Sequence, residues 1–189
     1  LKKYVHISTP EVYGNCEGFI KENTSYAPST PYAVSRAAAD MSLHAFWEAY
    51  QFPVVFTRAA NVYGPGQQLY RIIPRTIMFL KLGKKLQLHG GGISTRSFIH
   101  MNDVSEATLR ISRDSPSGEI FHISTNDIIS IRNLVEQICD TMHVQFENVA
   151  EVGQERLGKD ASYLLDSSKL RDTFNWKDRI LLKEGIKEV

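Results

Sequence analysis

Short apolar runs alternate along this chain with longer stretches in which apolar residues recur every three or four positions. The short runs are rich in β-branched and aromatic residues, as buried parallel strands are; they are YVHIS (4–8), PVVFTRAA (53–60) and GEIFHIS (118–124). The helical stretches cover 31–50, roughly 71–82, 102–112, 130–142 and 167–174. This alternation predicts an α/β fold with a parallel sheet.

Residues that favour helix N-termini stand at the start of three helical stretches. Ser29 or Thr30 can cap the first, Asn102 or Asp103 the third, and Ser130 the fourth. Their side-chain oxygens can accept hydrogen bonds from the free amide groups of a first helical turn. These residues therefore support the predicted helix boundaries.

Two glycine-containing segments are predicted to be loops. They are YGPGQQ (63–68) and HGGG (89–92). The first lies just past the end of the predicted strand 53–60, at the carboxyl edge of the sheet. Open parallel sheets bind their ligands at that edge, so this loop is a candidate part of a site.

The bulk composition limits the class of protein. The chain has 189 residues, 42% hydrophobic and 23% charged, with a net charge of +1, which is ordinary for a globular protein and favours neither nucleic acid nor a membrane surface. No apolar run approaches the roughly 18 residues that cross a bilayer, and no signal peptide is visible. The histidines, Cys16 and Cys139 have no metal-ligand spacing, so we assign no metal, and the cysteine usage favours a reducing, cytoplasmic compartment. Because Leu1 leads straight into a strand-like run, we expect the chain to be part of something longer.

Tyr32 and Arg36 lie one turn apart on the first predicted helix. Side chains at i and i+4 stand above one another, so both can face a cleft. A cation near a phenol favours the phenolate and lowers the phenol pKa from about 10, which provides a base for an alcohol near neutral pH. A Tyr-x-x-x-Arg pair is common by chance. Its position at a helix start, shortly after a strand that ends in polar residues, is what favours a functional role.

The predicted strand 4–8 ends in a hydroxyl and a carboxylate. Within HISTPEVYG (6–14), Thr9 can hydrogen-bond a substrate hydroxyl, and Glu11 can remove or deliver a proton. The alternative is a solvated strand end with an exposed glutamate. Taken alone, this segment leaves both interpretations open.

Six segments occur in an order and at spacings that are typical of one enzyme family. They are STPEVYG, PYAVSRAAAD, TRAANVYGPGQ, IIP, TRSFIHMNDV and YLLDSSKL. Together they resemble the extended short-chain dehydrogenases/reductases, in particular the NAD-dependent epimerase/dehydratase group and its dTDP-glucose (nucleotide-sugar) 4,6-dehydratase branch. The resemblance covers nearly the whole chain. It implies the C-terminal portion of a Rossmann-type doubly wound parallel sheet that binds NAD, with a smaller α/β lobe that binds a sugar nucleotide.

The resemblance implies a role for each residue of the first two motifs. Tyr32 would remove the proton of the sugar 4-hydroxyl while hydride passes from C4 to NAD⁺, and Thr9 would assist at that hydroxyl. Glu11 would take the C5 proton, water would leave from C6, and the stored hydride would return there to give a 4-keto-6-deoxy sugar. Tyr32 and Arg36 are also expected to contact the cofactor.

Two positions depart from the family pattern. Arg36 stands where the family has a lysine; it keeps the charge, but its planar fork fits the nicotinamide ribose differently. Pro10 stands where the family has an aspartate that protonates the departing C6 hydroxyl, so that role falls to Glu11, to a water or to nothing. Branches that decarboxylate UDP-glucuronate or dehydrate GDP-mannose also lack this aspartate, which weakens the assignment to dTDP-glucose.

The family's glycine-rich turn, which cradles the cofactor pyrophosphate at a helix N-terminus, has no counterpart in this sequence. The glycines at 90–92 precede the substrate-contact arginine and do not join a strand to a helix. We therefore expect residues 1–189 alone to bind NAD weakly and to be inactive.

Sugar nucleotides carry a diphosphate, and diphosphate sites use arginine and backbone amides. Besides Thr9, the residues that match the family's substrate positions are Asn61, Arg71, Gln87, His89, Arg96, Arg156 and Lys159. Gln87 and His89 fall where the family lines its base pocket, but they differ from the dTDP-type residues, so the base stays open. For Arg71, Arg96 and Arg156 the alternative is a surface salt bridge.

The resemblance also divides the chain. Residues 1–64 are expected to form the second half of the NAD-binding domain and 65–189 mainly the substrate lobe, with 98–124 returning to the Rossmann sheet. The helix that carries Tyr32 is expected to mediate a homodimer, and its aromatic residues are expected to pack either in the core or at that interface.

Three functions stay open. The first is an NAD-dependent nucleotide-sugar 4,6-dehydratase. The second is a UDP-sugar 4-epimerase or decarboxylase on the same scaffold, although a simple epimerase needs no C5 base such as Glu11. The third is a non-catalytic sugar-nucleotide-binding homologue, which Pro10 and Arg36 favour and the joint presence of Thr9, Glu11 and Tyr32 opposes.

Overall fold

The computed structural model describes residues 1–153 and 164–189. Its helices are α1 Pro31–Tyr50, α2 Ile72–Lys81, α3 Met101–Asp114, α4 Ile131–Thr141, α5 Ser168–Phe174 and α6 Leu182–Gly185. Its strands are β1 Tyr4–Ile7, β2 Phe19–Ile20, β3 Val54–Ala59, β4 Asn61–Tyr63, β5 Leu86–His89, β6 Thr95–Arg96, β7 Phe98–His100, β8 Ile120–Ile123, β9 Ile129–Ser130, β10 Ala150–Gly153 and β11 Leu164–Leu165. Short 3₁₀ helices lie at Pro10–Tyr13, Gly90–Gly92, Phe146–Asn148 and Ile186–Glu188.

The three strands predicted from apolar runs pair in one parallel sheet, in the order β1-β3-β8. In β3, the central strand, the side chains from Val54 to Arg58 are all buried. A central parallel strand has neighbours on both edges and packing on both faces, which is why its sequence shows no polar alternation. The predicted α/β fold with a parallel sheet is confirmed.

The other strands form two-stranded pairs around this sheet. β4 pairs with β7, β5 with β10 and β2 with β11, all in parallel, and β6 pairs with β9 in antiparallel. The pairing of β4 with β7 joins the segment after β3 to the strand that leads into α3. The division into two lobes, with 98–124 returning to the Rossmann sheet, stays a prediction.

The largest buried cluster packs α3 against the parallel sheet. Val55, Ile111 and Phe121 belong to it, together with Trp176, which is 1% exposed. A tryptophan so far along the chain therefore closes the core beside the sheet, and truncating such a side chain typically costs about 3–5 kcal/mol.

Within the described residues, no helix combines the length and apolarity that a bilayer crossing requires.

Two of the predicted helix caps are confirmed. The Thr30 hydroxyl accepts a hydrogen bond from the amide of Ala33 at 3.1 Å, and the Ser130 hydroxyl accepts one from the amide of Asn133 at 3.0 Å. Each bond provides a partner for one of the free amides of the first turn.

The predicted cap of α3 is wrong. The helix begins at Met101, and its N-cap is His100, whose Nδ1 accepts a hydrogen bond from the amide of Asn102 at 3.2 Å. The Asp103 carboxylate instead accepts hydrogen bonds from the amides of Arg179 and Ile180, at 3.1 and 3.0 Å. Because the His100 imidazole caps the helix, the Asp103 carboxylate can accept hydrogen bonds from the distant C-terminal segment.

Candidate active site

A cavity of about 890 Å³ opens at the carboxyl ends of β1 and β3. Its volume lies within the range of small-molecule sites, and it occupies the edge at which open parallel sheets bind ligands. The predicted site residues that line it are Thr9, Glu11, Tyr32, Asn61, Arg71 and Arg96. The loop from Tyr63 to Gln68, predicted to belong to a site, lines it as well.

The 3₁₀ helix Pro10–Tyr13 presents Thr9 and Glu11 to the cavity. Thr9 is its N-cap, and the Thr9 hydroxyl accepts a hydrogen bond from the amide of Glu11 at 3.3 Å. Pro10 occupies the first helical position, where its fixed φ favours the turn and its missing N–H costs nothing. Pro10 therefore helps to shape the turn that carries Glu11.

Gly14 ends this short helix with a φ of 68°. A Cβ at that position would collide with the carbonyl oxygen of Ala27. The amide of Ala27 also donates a hydrogen bond to the carbonyl of Val12 at 3.0 Å, so the segment around Ala27 is held close to the short helix. Only glycine combines this backbone conformation with such a close approach.

Tyr32 lies in the first turn of α1, just after the Thr30 cap, and is 55% exposed. It lines the cavity together with the segment from Ile7 to Glu11. The phenol is thus available to a ligand that also reaches Thr9 and Glu11.

Arg36 takes a different direction from Tyr32. Its Nη2 donates a hydrogen bond to the main-chain carbonyl oxygen of Ile7, the last residue of β1. Its Nε is buried and has no hydrogen-bond partner among the described residues. The sequence predicted that Tyr32 and Arg36 face one cleft; Tyr32 lines the cavity, whereas Arg36 is not among the described residues that line it.

Asn61, Arg71 and Arg96 lie on other elements around the cavity. The Asn61 side-chain amide donates to the carbonyl of Ser97 at 3.1 Å. Arg71 is the N-cap of α2, and its guanidinium lies over the ring of Tyr70 at 5.4 Å. Among the predicted site residues that line the cavity, Arg71 and Arg96 are positively charged and Glu11 is the one carboxylate. These lining residues therefore carry a net positive charge.

Gln87 and His89 are not among the described residues that line the cavity. Both lie on β5, on the exposed face of a strand whose Leu86 and Leu88 are buried. The Gln87 amide donates to the Glu151 carboxylate on β10 at 2.6 Å. Strand alternation thus turns Gln87 and His89 away from the core under β5. Arg156 and Lys159, the remaining predicted substrate residues, lie outside the described residues.

Sequence reasoning missed Arg58, which is fully buried on β3. Its guanidinium forms an ion pair with Asp40 of α1, with Nη2 and Oδ2 2.8 Å apart. A single charge inside the apolar run PVVFTRAA was the available signal, because arginine is almost never fully buried unless it is paired. Tyr70 at the cavity mouth was also missed, and no pattern in the sequence pointed to it.

The sequence profile of the GDP-mannose 4,6 dehydratase family matches residues 1–189. The chain belongs to this family. A relative of this chain, the dTDP-D-glucose 4,6-dehydratase of Homo sapiens, is 35% identical over 194 residues, which cover 100% of this chain and 55% of the human protein.

Two solved structures of dTDP-glucose 4,6-dehydratases resemble this member of the dehydratase family closely. The Bacillus anthracis str. Ames enzyme, in complex with NAD, has a TM-score of 0.93 and 33% identity, and the match covers 98% of this chain and 60% of that one. DesIV from Streptomyces venezuelae, with NAD and TYD bound, has a TM-score of 0.91 and 30% identity over 96% of this chain and 56% of that one. The expected family and the Rossmann-type α/β fold are confirmed, and the chain spans a little over half the length of these relatives.

Proposed function

We propose that this chain is part of an NAD-dependent nucleotide-sugar 4,6-dehydratase. The observation that carries the proposal is the convergence of Thr9, Glu11 and Tyr32 on one cavity from two elements, the end of β1 and the start of α1. Such a set supplies a hydroxyl that binds an alcohol and two groups that transfer protons. Family membership and the dTDP-glucose dehydratases among its relatives support the same reaction.

The proposed chemistry assigns one proton transfer to each group. Tyr32 accepts the proton of the sugar 4-hydroxyl as C4 is oxidised, and Thr9 donates a hydrogen bond to that oxygen. Glu11 then removes the C5 proton, which the new 4-keto group has acidified. The C6 hydroxyl leaves as water with the proton that Glu11 has taken from C5. Hydride then adds at C6, and Glu11 delivers to C5 a proton that it takes from solvent, while Tyr32 releases its proton to solvent; this completes the 4-keto-6-deoxy sugar. NAD, when bound, supplies the acceptor and later the donor of the hydride.

The residues near Ile7 fit the nicotinamide end of this cofactor. The buried Nε of Arg36 is a donor without a partner among the described residues, and a ribose hydroxyl would provide the missing acceptor. Arg36 would thus hold the cofactor and the end of β1 together. The phosphate-binding glycine turn has no counterpart in residues 1–189, so we propose that this chain alone binds NAD weakly and is inactive.

The substrate side is proposed to bind the diphosphate through Arg71 and Arg96. Both residues line the cavity, and arginine forks match phosphate oxygens in charge and geometry. Asn61 would bind the sugar. Gln87, His89, Arg156 and Lys159 stay predicted substrate residues, and the nucleobase stays open.

The decisive experiment incubates the full-length protein with NAD⁺ and, in turn, dTDP-glucose, UDP-glucose and GDP-mannose. We expect a 4-keto-6-deoxy product, which absorbs strongly in alkali, from one of them. Glu11→Gln should lower its formation by about 10²-fold or more, because the C5 base is lost. Glu17→Gln, at an exposed position outside the cavity lining, is the matched control and should be unaffected.

Other products would support the alternatives. A C4 epimer without alkaline absorbance would indicate a 4-epimerase, and release of CO₂ from UDP-glucuronate a decarboxylase. Binding of a sugar nucleotide without turnover, in both the natural protein and an Arg36→Lys variant, would indicate a non-catalytic binding protein.

A homodimer through α1 is also proposed. Most of the large apolar side chains of this helix are exposed, among them Val34 at 52%, Met41 at 63%, Phe46 at 53% and Tyr50 at 75%. An exposed apolar face of this kind favours association. Sedimentation of the full-length protein, with Met41→Glu as the variant, tests it.

A cytoplasmic location is proposed on the free thiols of Cys16 and Cys139.

A further inference from the structure

A buried ion pair is linked to the cavity lining through Ser8. The Arg58 guanidinium, which is fully buried, lies 4.8 Å from the ring centroid of Tyr13 and 4.9 Å from that of Tyr26. It pairs with Asp40, which is 1% exposed, and donates hydrogen bonds to both tyrosine hydroxyls. A charge this deep requires several fixed partners, because an unpaired buried charge strongly destabilises a fold.

The hydrogen bonds of His122 determine the direction of the shortest bond that the Tyr13 hydroxyl donates. The Nδ1 of His122 lies 3.1 Å from the carbonyl oxygen of Ile20 and 3.2 Å from that of Asp166, so Nδ1 must carry the ring proton. The Nε2 of His122, 2.7 Å from the Tyr13 hydroxyl, is therefore an acceptor. Tyr13 accepts from Arg58 and donates to His122, which fixes the phenol between two buried groups.

Tyr13 connects these buried groups to the segment that lines the cavity. It is the last residue of the 3₁₀ helix Pro10–Tyr13, on which Glu11 lies and which Thr9 caps. A helix this short has few bonds of its own: the amide of Gly14 donates to the carbonyl of Glu11 at 3.1 Å, and that of Val12 lies 3.5 Å from the carbonyl of Thr9. The position of Glu11 therefore depends on what anchors the end of the turn.

Asp40 provides the second connection. Its Oδ2 accepts a hydrogen bond from the Ser8 hydroxyl at 2.7 Å, and Ser8 directly precedes Thr9 and lines the cavity. Asp40 belongs to α1, about two turns beyond Tyr32. The buried cluster of Arg58, Asp40 and Tyr13 thus connects the end of β1, the 3₁₀ helix and the helix that carries Tyr32.

We propose that Arg58, Asp40 and Tyr13 are positioning residues of the reaction. They hold Thr9 and Glu11 in register with α1, although none of the three is among the described residues that line the cavity. This inference rests on the proposed function for its catalytic consequence. Its structural part, that these residues order the 3₁₀ helix Pro10–Tyr13, can be measured without catalytic turnover.

Two phenylalanine substitutions test it as a matched pair in the full-length protein. Tyr13→Phe and Tyr26→Phe each remove one hydroxyl that accepts from Arg58, but only Tyr13 lies on the turn that carries Glu11. In Tyr13→Phe we expect amide hydrogen exchange of residues 8–15 to quicken about tenfold or more, and kcat to fall about ten- to a hundredfold with KM unchanged. Tyr26→Phe should leave both quantities near their natural values.

A purely structural role predicts a different result. If both variants change exchange in 8–15 and kcat equally, or neither does, the proposal is overturned. Should the natural protein form no product from any sugar nucleotide, the proposed function fails, and the exchange comparison still decides the positioning role.

Ser8→Ala is a second variant for the case in which Tyr13→Phe does not fold. Ser8 is half-buried, and the substitution removes the bond to Asp40 while leaving the ion pair of Arg58 with Asp40 in place. We expect faster exchange in 8–15 and a lower kcat at an unchanged melting temperature. Unchanged exchange in this variant would contradict the proposal.

Discussion

The Arg36 guanidinium on α1 donates a hydrogen bond to the main-chain carbonyl oxygen of Ile7, where β1 ends. This cation thus ties the helix that carries Tyr32 to the strand that leads into Thr9. A guanidinium can make this bond through Nη2 and still offer Nε to a ligand, because its donors point in several directions. Arg36 therefore places a positive charge beside the end of β1.

This relationship predicts that charge, rather than the shape of the side chain, matters most at position 36. In the full-length protein, Arg36→Lys should retain kcat within about threefold, whereas Arg36→Met should lose about 10²-fold or more, the usual scale of a lost proton-transfer aid. Initial rates of 4-keto product measure both. Equal losses in the two variants would contradict the prediction.

Arg71 and Arg75 offer a comparison of two arginines on one helix start. Arg71 lines the cavity, while Arg75 lies over the ring of Phe79 at 5.0 Å and is not among the described lining residues. Arg71→Met should raise KM for the sugar nucleotide about 10- to 100-fold, since a hydrogen bond to a charged group is worth about 1.5–3 kcal/mol. Arg75→Met should leave KM unchanged, and steady-state kinetics of both variants provide the check. A rise in KM for Arg75→Met of the same size would show that net charge, not contact, is responsible.

The Asp103 carboxylate predicts a stability effect far from the cavity. It is 5% exposed and accepts hydrogen bonds from the amides of Arg179 and Ile180. Asp103→Asn turns one acceptor into a donor that faces an N–H group, so the free energy of unfolding should fall by about 1–3 kcal/mol. Urea denaturation measures it, with Asp172→Asn, at an exposed position, as the control. Equal stabilities of Asp103→Asn and the natural chain would show that the two amides find other partners.

His122 predicts how stability depends on pH. Burial is the main cause and the nearby charge of Arg58 the second, and together they lower the pKa of His122 to about 3. Because this pKa lies below the unfolded value of about 6.5, the unfolded chain binds a proton that the folded chain does not. Stability is therefore fully present above pH 6.5 and falls below it, by up to about 1.4 kcal/mol per pH unit, until the pH nears 3.

Urea unfolding between pH 7 and 4.5 checks this sign by comparing the natural chain with His122→Gln. The variant should be less stable at pH 7, since the Tyr13 hydroxyl loses the buried acceptor His122 Nε2. It should nevertheless lose less stability on acidification. Parallel curves for the two proteins would assign the acid sensitivity to other groups.

The missing phosphate-binding turn gives a prediction for residues 1–189 alone. Titration with NAD⁺ by calorimetry should show weak binding or none, because no strand-to-helix glycine turn is present in this sequence to hold the pyrophosphate. Micromolar binding would show that other groups replace it.

Much of the fold followed from local patterns. β1, β3 and β8 were predicted from apolar runs, and α1 from its period and cap, because these elements are stabilised by burial and by hydrogen bonds close in sequence. The cap of α3 was not predicted correctly, since Asp103 has its partners more than 70 residues away. A partner at such a distance leaves no trace in local spacing.

The sequence by itself determined the α/β class, the family and the grouping of Thr9, Glu11 and Tyr32 at a sheet edge, because parallel strands bring their carboxyl ends together whatever the details of packing. Only the tertiary structure decided the direction of Arg36, the distance of Gln87 and His89 from the cavity lining, and the burial of Arg58 between Tyr13 and Tyr26. These outcomes depend on which side chains meet across elements, and contacts between distant segments are fixed by the whole packed core rather than by any one stretch of chain.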